Sequence, residues 1–139
     1  MTRREARIAA MQLIYEKMLG GIGGDKTRYE LLELDRQDEE LIYIEDVVSN
    51  VFRLETELDE ALAPHLVDWT LERLAKVDLS ILRLACYEIL YRPDIPASVS
   101  INEAIELARE YSLPEACAFI NGVLGGMERA RRAAAQTRA

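Results

Sequence analysis

Residues 71–124 read LERLAKVDLSILRLACYEILYRPDIPASVSINEAIELAREYSLPEACAFINGVL, and their punctuation decides the fold. Asp78 can cap a helix over about Leu79 to Tyr91. That helix carries Leu79, Ile81, Leu82, Leu84, Ala85, Ile89 and Leu90, so it is apolar nearly all round and is expected to be the most buried. Pro93 and Pro96 stop it. Ser100 and Glu103 have capping-box spacing for a helix over 101–111. Ser112 and Glu115 repeat the spacing, with Pro114 in the first turn where its missing N–H costs little. The last helix then turns Ala116, Phe119, Ile120, Val123, Leu124 and Met127 inward. Asn121-Gly122 between hydrophobics is also a short-hairpin signal, but its flanks alternate poorly and the segment opens on a capping box. A glycine inside a helix costs about 1 kcal/mol against alanine. Close approach by a second helix is the expected reason for keeping Gly122.

The same helical spacing extends upstream. Thr2 and Glu5 frame a first helix from Arg3 to Met18, with Ile8, Met11, Tyr15 and Met18 on one face. Gly20, Gly21, Gly23 and Gly24 break it, and a short helix near Arg28–Leu34 can follow. Asp38 can cap a long helix through about Leu62, striped by Leu41, Ile44, Val48, Val51, Leu58 and Leu62. Pro64 ends it, and Asp68 can cap a short helix containing Trp69, Leu71 and Leu74. Strict alternation is absent, so the expectation is an all-α single domain over 1–139 with about seven helices.

Composition narrows the function classes. The chain has 139 residues and a net charge of −8, which argues against a generic polyanion binder. The charge is uneven. Residues 29–60 carry twelve acids against Arg36 and Arg53, whereas Arg3, Arg4, Arg7 and Lys17 make the first helix basic. Arg129, Arg131, Arg132 and Arg138 stand without an acid in a tail, 129–139, that is expected to fray. Such asymmetry allows a local nucleic-acid face, and equally a merely solvated surface. No apolar run approaches the ~18 residues of a membrane span. Cys86 and Cys117 form no CxxC, which suits a reducing cytoplasmic setting.

Enzymatic chemistry finds little support. From Gly20 the spacing places Asp25 where a phosphate loop needs its second glycine before Lys26-Thr27, and no strand precedes it. His65 is the only histidine, so a histidine-rich metal site is excluded, and it reads as a surface residue at a helix end. Cys86 reads as a small core residue, and nothing marks Cys117 as reactive. Glu103 and Glu106 lie one helical turn apart, but capping accounts for the first. No catalytic residue, metal or cofactor is expected. Arg3, Arg4 and Arg7 can instead fan over one side of the first helix, where guanidinium groups suit phosphates and bases. Tyr15 and Phe119 can stack on unpaired bases or lie in the core.

These segments together resemble the NusB family of transcription antitermination factors. Arg3-Arg4-Glu5-Ala6-Arg7 followed by Met11-Gln12-Leu13-Ile14-Tyr15 is similar to the family's arginine-rich first helix. Leu71-Glu72-Arg73-Leu74 through Tyr87-Glu88 is similar to its middle helices. Asp94-Ile95-Pro96 with Ile101-Asn102-Glu103-Ala104-Ile105-Glu106-Leu107-Ala108 is the most distinctive phrase, and Phe119-Ile120-Asn121-Gly122-Val123-Leu124 closes it. The region 19–40 resembles the family least. The resemblance implies two packed three-helix subdomains and a cytoplasmic, non-enzymatic adaptor. With the ribosomal protein NusE, such an adaptor binds boxA RNA of nascent ribosomal transcripts and helps RNA polymerase read through terminators.

It also implies roles for residues. Arg3, Arg4, Arg7, Gln12, Tyr15, Glu115, Phe119 and Asn121 match the RNA side, and Glu72, Asp78, Arg83 and Glu88 match the NusE side. Relatives often carry a serine and a basic residue just before the phenylalanine, where this chain has Ala116-Cys117-Ala118. That departure shifts the expected phosphate contacts toward basic surface supplied by NusE. Some relatives self-associate through the RNA-facing side, so a homodimer is a further expectation. Two alternatives stay open: a protein-only adaptor with a weakened RNA face, and a free-standing domain like those of ribosomal RNA cytosine methyltransferases.

Overall fold

Six α-helices and two 3-10 turns organise residues 1–21 and 38–138, the part of the chain that the computed structural model describes. The helices are α1 (Arg3–Met18), α2 (Glu39–Arg53), α3 (Glu55–Leu62), α4 (Lys76–Tyr91), α5 (Ala97–Tyr111) and α6 (Pro114–Arg138). The turns are Ala63–His65 and Leu71–Arg73. There is no strand among the described residues, and none of their helices is long and apolar enough to cross a membrane. The helix expected near Arg28–Leu34 lies outside the described residues.

Helix α4 is the axis of the fold. Every residue from Leu79 to Ile89 is buried, as its all-round apolar character requires. Helices α1 and α2 pack on it and on each other, α3 joins them from α2, and α5 and α6 pack on it and on each other. The two three-helix groups therefore meet at α4. Arg7 reaches Glu88 while Met18 meets Ser80, so α1 runs antiparallel to α4. Ser100 meets Glu88 while Ser112 meets Asp78, so α5 does the same. Helices α1 and α5 thus run parallel across α4, and the Arg4–Glu103 pair links them.

Local signals at the first two helix starts hold. The Thr2 hydroxyl accepts from the Glu5 N–H at 3.1 Å and the Glu5 carboxylate accepts from the Thr2 N–H at 3.0 Å. The Asp38 carboxylate accepts from the N–H groups of Glu40 and Leu41. The stripe from Leu41 to Leu62 is buried, but the single helix expected over 38–62 breaks at Leu54 (φ −104°, ψ 17°). The break turns the short α3 so that Leu58 and Leu62 enter the core beside a buried Leu54.

Three other expectations need correction. Asp68 caps nothing: it sits at φ 62°, a left-handed conformation that a short polar side chain tolerates, and only a 3-10 turn follows. Helix α4 starts at Lys76, so Asp78 lies inside its first turn and accepts from the Ser112 hydroxyl. Helix α5 starts at Ala97, directly after Pro96, and Ser100 is buried and donates to Glu88. The Ser100–Glu103 spacing is therefore no capping box. For Asp78 and Ser100 a distant partner has claimed the side chain that local spacing assigned to a cap.

Helix α6 buries Ala116, Ile120, Val123, Leu124 and Met127, with Phe119 half-buried. It continues to Arg138, so the tail expected to fray is helical through that residue. Alanine and arginine both favour helix, and Glu128 bonds Arg131 and Arg132 one turn ahead. Gly122 is exposed, and a methyl group there would meet no atom within 4 Å. Helix packing is therefore not its reason. The close approach belongs to Gly126, where a Cβ would lie 2.9 Å from His65 Nδ1. Gly122→Ala is expected to raise the free energy of unfolding by about 1 kcal/mol, read by urea denaturation; an unchanged or lowered value would show a clash that the structure lacks.

Candidate nucleic-acid interface

The three arginines of α1 part company. Arg3 donates to Glu40 at 2.6 Å and lies 4.4 Å over the Tyr43 ring. Arg4 makes a two-pronged pair with Glu103 at 3.1 and 2.9 Å. Arg7 makes another with Glu88 at 2.9 and 3.2 Å. The fan over one side of α1 is therefore corrected: each guanidinium has its own carboxylate. Arg7 follows the buried stripe because Ala10, Met11 and Ile14 stand three, four and seven residues on. That spacing was visible in the sequence and marked Arg7 as interior.

Glu88 has no exposed surface. Its two oxygens accept from both prongs of Arg7, from Ser100 at 2.7 Å and from the Tyr43 hydroxyl. A buried charge is tolerable only with such complete pairing. Burial and then the Glu88 charge push the Tyr43 phenol well above its ordinary range, which keeps it a donor. Arg7 and Glu88 are thus removed from direct contact with RNA or with NusE, since neither has surface to offer.

Arg4 is different. Its side chain is 62% exposed, and its pair with Glu103 lies at the surface. The hydrogen bonds from Arg4 hold the Glu103 carboxyl below its ordinary range. Such a pair is worth about 0–1 kcal/mol, so a phosphate can replace the carboxylate at little cost. Gln12 is exposed and Tyr15 half-buried, eight and eleven residues further on the same helical face. Arg4, Gln12 and Tyr15 therefore line one edge of α1 over roughly 16 Å.

The second cluster sits where α6 begins. Glu115 and Phe119 line an open groove of about 470 Å³ with Trp69, Arg73, Leu74 and Asp78. Asn121 is exposed but is not part of this groove. The structure thus joins two residues expected on the RNA side to one expected on the NusE side. Trp69, 51% exposed, and Arg73 are additions; an exposed tryptophan in the polar Asp68-Trp69-Thr70 setting was the available signal. Among the described residues no cluster of His, Cys, Asp and Glu could hold a metal. Burial pushes the Cys86 thiol up to about 12, as befits a core residue.

Residues 4–129 match the NusB family. The chain belongs to that family. The transcription antitermination protein NusB of Acetivibrio thermocellus is 45% identical over 131 residues, spanning 90% of this chain and 87% of the relative. The structure of T. maritima NusB superimposes with a TM-score of 0.82 at 28% identity, covering 93% of this chain and 92% of that one. A crystal structure of antitermination factors NusB and NusE in complex with dsRNA shares the fold, with a TM-score of 0.77 at 24% identity over 94% and 99% of the two chains.

Within this NusB-family fold, the acidic candidates also divide. Glu72 is exposed and lines a separate cleft with Lys76, Asp59 and Arg83, whereas Asp78 is half-buried at the wall of the groove at the start of α6. Arg83 is largely buried and grips Asp59 with two bonds of 2.9 and 2.8 Å, so it fastens α4 to α3 and has little surface for a partner. Ala116 is buried, Cys117 half-buried with its Sγ toward the Ile105 carbonyl, and Ala118 exposed. None of the three carries a cationic donor.

Proposed function

We propose that this chain is a non-enzymatic transcription antitermination adaptor that, with ribosomal protein NusE, binds boxA RNA and helps RNA polymerase read through terminators. The relatives named transcription antitermination protein NusB support this reading. The observation that carries it at the site is Arg4, an exposed guanidinium held only by an exchangeable surface pair at the head of the Gln12–Tyr15 edge. In this reading Arg4 takes phosphate, Arg3 assists from its place over Tyr43, and Gln12 and Tyr15 meet bases. Glu115, Phe119 and Asn121 continue the RNA side on α6. Glu72 and Asp78 offer negative charge to a basic NusE surface.

Anisotropy titration of a boxA-containing RNA, with and without NusE, tests this. Arg4→Glu is expected to weaken RNA binding at least tenfold in about 100 mM salt and to flatten its salt dependence, with the fold intact. No binding by the wild type at low salt, with or without NusE, would sink the reading. The absence of a cation at 116–118 favours one alternative, a protein-only adaptor. It predicts a NusE complex whose formation brings no gain in RNA affinity.

A further inference from the structure

The end of α6 has no role in the bundle. Met127 and Glu128 are its last buried residues, and 129–137 are exposed without exception. The helix nevertheless continues to Arg138, an overhang of about 15 Å at 1.5 Å per residue. It lies almost wholly beyond the NusB-family match, which ends at residue 129. Its sequence, RARRAAAQTRA, contains four arginines, no acid and no side chain larger than alanine that is apolar. Such a helix has no apolar stripe to lay in a partner's groove. What it presents is positive charge and guanidinium hydrogen bonds.

We propose that Arg129, Arg131 and Arg132 bind the sugar-phosphate backbone of single-stranded RNA as it leaves the head of α6. The inference rests on the RNA-binding reading above and extends it to a segment that begins at the last residue of the family match. Arg129 has no carboxylate partner among the described residues. Arg131 and Arg132 share the single carboxylate of Glu128, so two cations face one anion. Both are exposed, at 44% and 67% of their side chains. Asn121, Gly125, Arg129 and Arg132 follow one another along the solvent face of α6 at four-, four- and three-residue steps. A strand held near Asn121 therefore reaches Arg129 after about 12 Å along a path free of bulky side chains. The acids of the bundle are the obvious opposition. At physiological salt the ~8 Å screening length limits that opposition to the acids nearest the three arginines, and of these Glu128 is already paired.

Salt titrations with the full chain and NusE, on a boxA-containing RNA and a scrambled RNA of equal length, test the proposal. Replacing three phosphate-binding cations in Arg129→Gln/Arg131→Gln/Arg132→Gln is expected to reduce the slope of log K against log salt by about 2. The affinity loss is expected to be equal on both RNAs, because phosphate contacts carry no sequence information. The triple Arg→Lys variant is expected to keep the slope. Glu128→Gln, which frees Arg131 and Arg132, is expected to tighten RNA binding and steepen the slope, a result that a merely helix-stabilising pair would not give. An unchanged slope in the glutamine variant, with no gain from Glu128→Gln, overturns the proposal. So does salt-sensitive self-association that the glutamine variant abolishes while RNA binding stays the same, since the arm would then serve a second copy of the chain. If the wild type binds neither RNA, the parent reading has failed; if it binds and the arm variants match it, the arm alone has failed.

Discussion

Glu88→Ala is expected to lower the free energy of unfolding by about 3–5 kcal/mol. The removed carboxylate is fully buried and accepts four hydrogen bonds from Arg7, Tyr43 and Ser100. Its loss leaves a guanidinium with a 6% exposed side chain facing only Glu103, 4.0 Å away and already paired with Arg4, and two hydroxyls without an acceptor. Urea denaturation by far-UV circular dichroism reads the loss, and a change below about 1 kcal/mol would show that Arg7 escapes to solvent. The double variant Arg7→Met/Glu88→Met removes both charges and is expected to recover much of the stability, though not all, because Tyr43 and Ser100 still lack their acceptor. The same double variant separates two roles of Arg7. Since Arg7 is interior, RNA affinity in the double variant is expected to stay near the wild-type value wherever the protein is folded; a selective loss of RNA binding would restore Arg7 to the interface.

The second large effect is expected at Leu58. Leu58→Ala should cost about 2–5 kcal/mol, the range for a leucine that leaves a cavity in a close-packed core. Helix α3 spans only Glu55–Leu62 and has no side-chain cap at its start. Its buried residues are Leu58 and Leu62, both fully enclosed, with the Arg83–Asp59 pair beside them. A helix this short has little stability of its own, so it depends on those anchors. Amide hydrogen exchange of residues 55–62 should accelerate more than that of α4. Uniform acceleration across the molecule would show instead that α3 unfolds only with the whole chain.

Much of the fold was legible from local chemistry. The boundaries of α1 follow from the Thr2–Glu5 box and the residues between them and Gly20, and Asp38 marks the start of α2. The burial of α4 follows from its lack of a polar face. The candidate site was legible only in part. Arg4, Gln12, Tyr15 and Phe119 lie where surface or groove contacts are open to them. Arg7, Arg83 and Glu88 do not: an interface role needs exposed charge, and theirs is buried in pairs within the fold. For Arg7 the helical frame already contradicted that reading, and for Glu88 so did its place among apolar neighbours in α4. Gly122 misled in the opposite direction: an interior position in the sequence of a helix is not an interior position in the molecule.

By itself the sequence determined the main helical segments, the faces that α1, α2 and α4 bury, and which family the chain joins. Those properties depend on residues three, four or seven apart, and such spacings are set within the chain. Only the tertiary structure decided where the polar side chains go. Ser100 and Ser112 had local capping roles open to them, yet they bond to Glu88 and Asp78, 12 and 34 residues away. Arg4 and Arg7 find Glu103 and Glu88, 99 and 81 residues away. An exposed helix end can be satisfied by water, whereas the buried Glu88 carboxylate cannot, so the interior claims Arg7 and Ser100 first.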